Sequence, residues 1–580
     1  MSGTTRVTGA TGAEALLRVL RAMGVERIFA SPGSDWAPLW EALARPYRPD
    51  EVPAYTSVRH EMTAVAMASG YARATGKLPA VVLHTTVGAL HATMGLRAAL
   101  HERIPMVVLA GESIAFGEAP DVPDPGRQWL RLLADVGGPA RLVAPCVKWS
   151  AAATTSRLLP HAVQRAAQLA VAAPGGPTFL SVPVEFLMAP MTAEPPAAAL
   201  PRAPSADPAT LDELARALCE ARNPVIVTEQ AGRSVAAVAR LVALAETLGA
   251  PVVEAWQPTY VNFPRAHPLY GGVAATEMEA LLAEADLVFL VEAVAPWHPP
   301  SALPAPGTRV VALGEAPLGP QLPAWGFRAD LVATGDAERS LAMLLERVQA
   351  VVASGSRAAI AQRWRERHDA RRAAVRAEAR AAGGRSPIET RWVVHELGEL
   401  LTADAIVVDE TITHRLDVVR ILDRLGPGAF FEASYGGLGV GLGTALGVKA
   451  AAPGRTVVAT IGDGALHYNP VPASFGAAQE HALPILVVLF DNAGYLSQKS
   501  DVAKEFPDGW AVRTGRFAGT AIAPRPDYPA LARAYGGRGE TVAAPGEVRA
   551  ALARGLAAVA RGQLALVHVV LAPVDPAAGG

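Results

Sequence analysis

Short apolar runs alternate with helical stretches along almost the whole chain. In the first part, RIFASPG, LPAVVLHTT, IPMVVLAGE and GPTFLSVPV read as strands, with segments such as AEALLRVLRAMGV (13–25) between them. Strands that alternate with helices predict βαβ units and a parallel sheet buried on both faces. The rhythm returns in NPVIVTEQ, GAPVVEAW, ADLVFLVEA and TRVVALGE, and again in AIVVDET, RTVVATIGDG, PILVVLFDNAGY and LALVHVVLA. The pattern predicts an α/β protein with three doubly wound parallel-sheet domains, at 1–190, 205–345 and 385–580. The Pro- and Ala-rich stretch at 188–209 is a linker between the first two. Residues 351–385 read as a solvated helix ending at Gly383-Gly384, whose interspersed acidic residues argue against nucleic-acid binding.

Composition narrows the function classes without naming one. With 51% apolar and only 18% charged residues, 580 residues can bury several large cores. A formal net charge of −2 gives no general attraction to nucleic acid or to anionic membranes. The run PILVVLF (484–490) is far shorter than a membrane span, which needs about 20 residues. The N-terminus lacks the basic-then-apolar pattern of a signal peptide. Cys146 and Cys219 have no metal-ligand or CxxC spacing, so buried thiols in a reducing cytoplasm are expected.

The third block carries candidate chemistry. Gly462-Asp463-Gly464 ends one apolar run and Asp491-Asn492-Ala493-Gly494 ends the next. A parallel crossover would bring both to the C-terminal edge of a sheet, where ligands bind in open α/β folds. The carboxylate of Asp463, the amide oxygen of Asn492 and a main-chain carbonyl near Gly494 are hard oxygen donors of the kind Mg²⁺ requires alongside diphosphate oxygens. A helix starting just after Gly464 would add N–H donors. Taken alone, GDG reads as a tight strand–helix turn whose Asp caps a helix; its pairing with Asn492 behind a second apolar run turns the reading toward a cation site. The segment YGGLGVGLGTALGV (435–448) fits either close helix packing or a backbone lying against a flat heterocycle, with Leu438 as its bulky projection.

The segment RHEMTAVAMASGYARATGKLPAVVLHTTVGALHATMGL (59–96) supplies context. With it, the GGLG stretch and GDG…N, the chain resembles the thiamine-diphosphate-dependent enzymes of the pyruvate decarboxylase and acetohydroxyacid synthase type. Within that superfamily it looks most like the benzoylformate decarboxylases, through SPGS (31–34), LHTTVGALHATMGL (83–96), VKWS (147–150) and APGGPTFLSVP (173–183). The resemblance implies pyrimidine-binding, central and diphosphate-binding domains, with thiamine diphosphate and Mg²⁺ as cofactors. It implies that Glu61 hydrogen-bonds the aminopyrimidine ring, that Gly436 and Leu438 contact the same ring, and that Leu438 is an apolar wedge beneath the cofactor. Gly462, Asp463, Gly464, Ala465, Asn492, Gly494 and Tyr495 would bind the diphosphate and its metal, with Asp463, Asn492 and Gly494 as metal ligands. In DETIT (409–413), Glu410 and Thr413 would lie near the diphosphate.

Ser34 resembles a serine that binds the substrate carboxylate, and His84 and His298 resemble proton relays. The activity implied is nonoxidative decarboxylation of a 2-oxo acid: proton uptake after CO₂ leaves gives an aldehyde. Capture by a second carbonyl compound would instead make the chain a carboligase, and a cofactor-binding protein without turnover is the remote alternative. The assembly implied is a homodimer or homotetramer with the active site at a subunit interface.

Departures from the pattern bear on the substrate. His91 stands where asparagine is usual, Ala465 where serine is usual, and Asp491-Asn492 replaces Asn-Asn. The spacing from Asp463 to Asn492 is longer than expected, with the extra length placed at NPVPAS. Residues 495–510 fit a substrate lid or an ordinary surface helix. In the middle block TEQAGRS (228–234) lacks GxGxxG, and no FAD signal is evident.

Overall fold

A computed structural model describes residues 10–112, 135–191, 198–255, 257–297, 303–319, 327–353, 355–434 and 436–572. The three sheets expected from the apolar runs are present, each six-stranded and parallel throughout. The first holds β1 (Arg27–Ser31), β2 (Ala54–Ser57), β3 (Ala80–Leu83), β4 (Met106–Glu112), β5 (Trp149–Ala152) and β6 (Pro177–Pro183), in the order β2-β1-β3-β4-β6-β5. The second holds β7 (Pro224–Thr228), β8 (Val252–Glu254), β9 (Tyr270–Gly272), β10 (Leu287–Val291), β11 (Arg309–Gly314) and β12 (Leu331–Thr334), ordered β9-β8-β7-β10-β11-β12. The third holds β13 (Ile406–Glu410), β14 (Phe430–Glu432), β15 (Val457–Gly462), β16 (Leu486–Asp491), β17 (Arg538–Val542) and β18 (Ala565–Val570), ordered β14-β13-β15-β16-β18-β17. Central strands such as β3, β10 and β16 are buried at every residue, which is why they read as unbroken apolar runs.

The chain divides into two compact units. One comprises Met1–Arg202, Tyr435–Pro453 and Tyr468–Leu483, and the other Ala203–Ser434, Gly454–His467 and Pro484–Gly580. Parts of the third block thus group with the first sheet. The reason lies in glycine spacing on two helices of the first unit, α1 (Glu61–Thr75) and, later in the chain, Gly441–Ala451. A Cβ on Gly70 would lie 2.1 Å from the Thr444 carbonyl oxygen, and one on Gly447 2.0 Å from that of Met67. Only hydrogen at these positions permits the approach. The GLGTALGV stretch is therefore helix packing at Gly443 and Gly447, whereas Gly437 (φ 133°) and Gly439 (φ 100°) sit in backbone that disfavours any side chain.

Continuing in chain order, the helices used below are α2 (Thr85–His101), α3 (Ala358–Ala381), α4 (Thr390–Leu400), α5 (Gly441–Ala451), α6 (Asp463–Tyr468), α7 (Val471–Glu480) and α8 (Leu496–Glu505). Two expectations need correction. The Arg-rich helix α3 ends at Ala381 and a 3-10 turn, Ala382–Gly384, carries it to the expected stop, but it is docked rather than merely solvated. Trp364, His368 and Ala379 are buried, Arg372 and Arg376 reach Asp423, and Arg367 reaches Glu284. Its guanidinium groups find partners, and those of Arg363 and Arg367 lie over the Trp364 ring. Cys146 and Cys219 are free and half-buried rather than buried.

Candidate active site

In the third sheet, chain order reverses between β13 and β15, and the loops after β13, β15 and β16 leave from neighbouring strands. This is the crevice where open parallel sheets bind ligands. Asp463, only 2% exposed, closes β15. Its Oδ1 accepts from the Gly464 N–H at 2.8 Å, and its Oδ2 from the Gly494 N–H at 2.8 Å. The same Gly494 N–H is 3.2 Å from Asn492 Oδ1, so the two proposed oxygen donors share one amide. Burial, and then the charge of Asp491, pushes the Asp463 carboxyl upward, against the Gly464 and Gly494 amides. Burial acts on Asp491 too, but His568 Nε2 at 2.7 Å, the Ala493 amide and Arg525 outweigh it and hold that carboxyl below the usual range. Hard oxygens bearing buried negative charge suit a hard divalent cation.

The loops that carry these groups are strained. Ile412, after β13, has φ 53° and Ala493, after β16, has φ 64°, a region that β-branched residues avoid most strongly. Glu410 is fully buried at the end of β13, while Thr413 is exposed in the turn that follows. His414, kept neutral by burial, which lowers it to about 4, has Nδ1 2.9 Å from Thr390 Oγ1. Its Nε2 lies 3.5 Å from Asn492 Nδ2. The expected helix after GDG starts at Asp463 itself, two residues earlier, and spans only Asp463–Tyr468. Ala465 is buried in it, and the Tyr495 ring packs where a Cβ on Gly464 would lie 2.7 Å away. The additional length at NPVPAS falls at the break between α6 and α7, where Asn469 Oδ1 accepts from the Leu442 N–H at 3.0 Å.

A second cluster lies in the first unit, at the switch point between β1 and β3. His60 caps α1 through Nδ1, which accepts from the Met62 N–H at 3.2 Å, and this sets Glu61 in the first turn. Glu61 Oε2 is 3.1 Å from His91 Nδ1, and the rings of His91 and His60 stack with centroids 5.4 Å apart. Burial holds His60 below the usual imidazole range. His84 follows β3 at the N-cap of α2, and its Nδ1 is 2.7 Å from Asp35 Oδ1. Gly88 separates the two groups: a Cβ there would be 3.3 Å from His84 Cβ and 3.4 Å from Glu61 Cγ. Ser34 is exposed at the start of the turn that holds Asp35. Gly436 and Gly439 pack against α2 and α1, facing Ala98 and Met62, and Leu438 between them is half-buried. His298 lies outside the described residues.

Both clusters include residues within segments that match known proteins. The pattern described as "Thiamine pyrophosphate enzyme, N-terminal TPP binding domain" matches residues 10–121, the corresponding central domain matches 211–313 and the C-terminal TPP binding domain matches 413–569. The chain belongs to the thiamine pyrophosphate enzymes. Benzoylformate decarboxylase of Pseudomonas aeruginosa is 29% identical over 544 residues, covering 89% of this chain and 91% of that protein. Acetolactate synthase isozyme 3 large subunit of Escherichia coli is 27% identical, covering 93% and 91%. A thiamin diphosphate-dependent enzyme from Mycobacterium smegmatis superimposes with a TM-score of 0.76 at 25% identity, over 97% of this chain and 99% of that one.

In this thiamine pyrophosphate enzyme several groups at the candidate site are not legible as motif residues. Asp35, His414 and His568 touch or adjoin the expected residues through partners distant in sequence, whereas His60 belongs to the same motif segment as Glu61. In the central sheet, the switch point after β7 and β10 gathers Glu229, Glu292 and Glu315. Arg233 pairs with the last two, while Glu229 accepts from the amides of Val294 and Ala295. Such a collection of carboxylates does not resemble a phosphate cradle.

Proposed function

We propose that this thiamine pyrophosphate enzyme catalyses the Mg²⁺-dependent, nonoxidative decarboxylation of a 2-oxo acid to an aldehyde and CO₂. The observation that carries the reading is the close approach of His84 and Glu61 at Gly88, where a Cβ would meet His84 Cβ at 3.3 Å, Glu61 Cγ at 3.4 Å and Glu61 Oε1 at 3.5 Å. A decarboxylation that ends in an aldehyde must deliver a proton to carbon, and imidazole titrates in the range this requires. The bound cofactor supplies a nucleophilic carbon and a sink for the electron pair that CO₂ leaves behind. Glu61 would hold the cofactor's pyrimidine ring, with Gly436 and Leu438 as further contacts to it. Asp463, Asn492 and the Gly494 carbonyl would hold the metal, and Ser34 would receive the substrate carboxylate. The benzoylformate decarboxylase likeness supports this assignment.

A carboligase is the second reading. The acetolactate synthase relative supports it, while His91 on Glu61 departs from the asparagine of the decarboxylase and synthase patterns alike. A screen of aromatic, branched and short 2-oxo acids for CO₂ release, with product analysis in the presence and absence of an added aldehyde, separates the two. Aldehyde as the main product supports decarboxylation; exclusive formation of hydroxyketone or acetohydroxy acid overturns it. We further propose a cytoplasmic homodimer or homotetramer. Val87, Leu90 and Met94 form an exposed apolar stripe on α2 beside His91, which supports coverage by another subunit. A monomeric active species in sedimentation would refute the assembly. Among the described residues no helix is long and apolar enough to cross a membrane.

A further inference from the structure

We propose that Asp35 is a positioning residue for His84, holding its imidazole by Nδ1 so that Nε2 is the nitrogen that carries a proton to and from the reacting centre. The inference rests on the reading of His84 as a proton relay given above.

The loop SPGSDW (31–36) is built around the end of β3. The Ser31 carbonyl accepts from the His84 N–H at 3.3 Å, and the Trp36 indole N–H donates to the Leu83 carbonyl at 2.8 Å. Gly33 lies against the imidazole so closely that a Cβ there would sit 2.1 Å from His84 Nδ1. The ring is thus fixed from one side by backbone. Asp35, 5% exposed, meets the ring at Nδ1: its Oδ1 is 2.7 Å from His84 Nδ1, and its Oδ2 accepts from the Thr85 N–H at 3.2 Å. An ionised carboxylate can only accept, so Nδ1 carries the hydrogen in this contact.

Asp35 is itself packed in place. A Cβ on Gly111, in β4, would lie 1.6 Å from Asp35 Oδ2, so any side chain there would displace the carboxylate. A carboxylate on Nδ1 fixes both the tautomer and the orientation of an imidazole, leaving the opposite nitrogen for chemistry. It also favours the imidazolium. The hydrogen bond to Asp35 is the main influence raising His84 above the usual range, burial opposes it, and the charges of Asp35 and Glu61 add to it. These two carboxylates reach His84 from the β1 loop and from α1. On its own helix the nearby imidazole, His91, is engaged with Glu61, and Glu112 at the end of β4 accepts instead from Ser181 Oγ at 2.8 Å.

The test uses the full-length protein with cofactor and Mg²⁺ and follows hydrogen–deuterium exchange at the histidine ring carbon by mass spectrometry, which reports the titration of each histidine separately. In the wild type His84 should titrate above 6.5, the usual imidazole value. In Asp35→Asn its midpoint should fall by about one pH unit or more. The alkaline limb of the kcat–pH profile should move down by the same amount, because the acid form is lost at lower pH. A wild-type His84 that titrates below the usual imidazole value overturns the inference, and this outcome needs no variant to fold. An unchanged midpoint in Asp35→Asn overturns it as well. A midpoint that falls while the kcat–pH profile stays fixed leaves Asp35 holding His84 but refutes the proton-relay reading on which the inference rests.

Discussion

Gly447→Ala tests the packing that joins α5 to α1. In a helix interior this substitution alone gains about 1 kcal/mol, because alanine loses less backbone freedom than glycine. Here the added Cβ would lie 2.0 Å from the Met67 carbonyl oxygen and 2.7 Å from its carbon. Cβ contacts below 3.0 Å essentially do not occur, so the helices must part by about 1 Å. The obstruction is backbone in the middle of a helix and cannot rotate away as a side chain could. Overpacking of this kind costs about 1–3 kcal/mol, and rigid backbone places it at or beyond the upper end. The net expectation is a loss of about 2 kcal/mol or more, or several degrees in the midpoint of unfolding. Gly398→Ala in α4 is the control, since its nearest neighbour is the end of the flexible Leu422 side chain at 3.1 Å. Scanning calorimetry of the cofactor-free protein should show a lower midpoint for Gly447→Ala and an equal or higher one for Gly398→Ala. Equal stability of the two variants would refute the argument, because helix propensity would then outweigh the contact. Because α1 bears Glu61 in its first turn, Gly447→Ala should also weaken thiamine diphosphate binding, measured by tryptophan fluorescence titration.

Three further outcomes follow from the site. Asp463→Asn should leave the fold intact and weaken Mg²⁺-dependent binding of thiamine diphosphate more than about 100-fold, the upper end for groups that only support a ligand; calorimetric titration with equal affinity would remove Asp463 from the metal site. Glu61→Gln should bind cofactor but lose at least about 100-fold in turnover, the lower end for a positioned acid–base group, and full activity would exclude its role. Asp409 is buried and pushed up to about 6, chiefly by burial against the opposing Arg415, Thr460 and Thr411. Its folded value lies above the unfolded one, so the folded state loses stability as pH rises from about 4 to about 6 and is level above that. Asp409→Asn should remove this dependence, worth up to about 3 kcal/mol at 1.36 kcal/mol per pH unit. Urea unfolding at pH 5 and pH 8 checks it, and parallel wild-type and variant curves would contradict it.

Much of the fold is written locally. Each buried parallel strand must be apolar along its whole length, so the runs at 80–83, 287–291 and 486–491 identify themselves without reference to their neighbours. The same holds for Asp463 and Asn492. Glycine and oxygen-bearing residues at the ends of such runs can only fall on a sheet edge, and the parallel pairing of β15 with β16 puts them together. Residues acting through distant partners left no such trace. Asp35 lies 49 positions from His84, and His568 lies 77 from Asp491. The Arg-rich helix read as solvated because its charge pattern does not reveal that Asp423 and Glu284 await it. The glycines of 435–448 were ambiguous because a small residue serves a close helix and a flat ligand equally. What separated them was what stands opposite: the Met67 and Thr444 carbonyls face Gly447 and Gly70, whereas positive φ sets Gly437 and Gly439. Sequence by itself determined strands, edges and the cofactor-binding signature, because these depend on periodicity and local chemistry. The tertiary structure decided which side chains hold the chemical groups in place, because hydrogen-bond partners and interhelical distances arise only when remote segments pack.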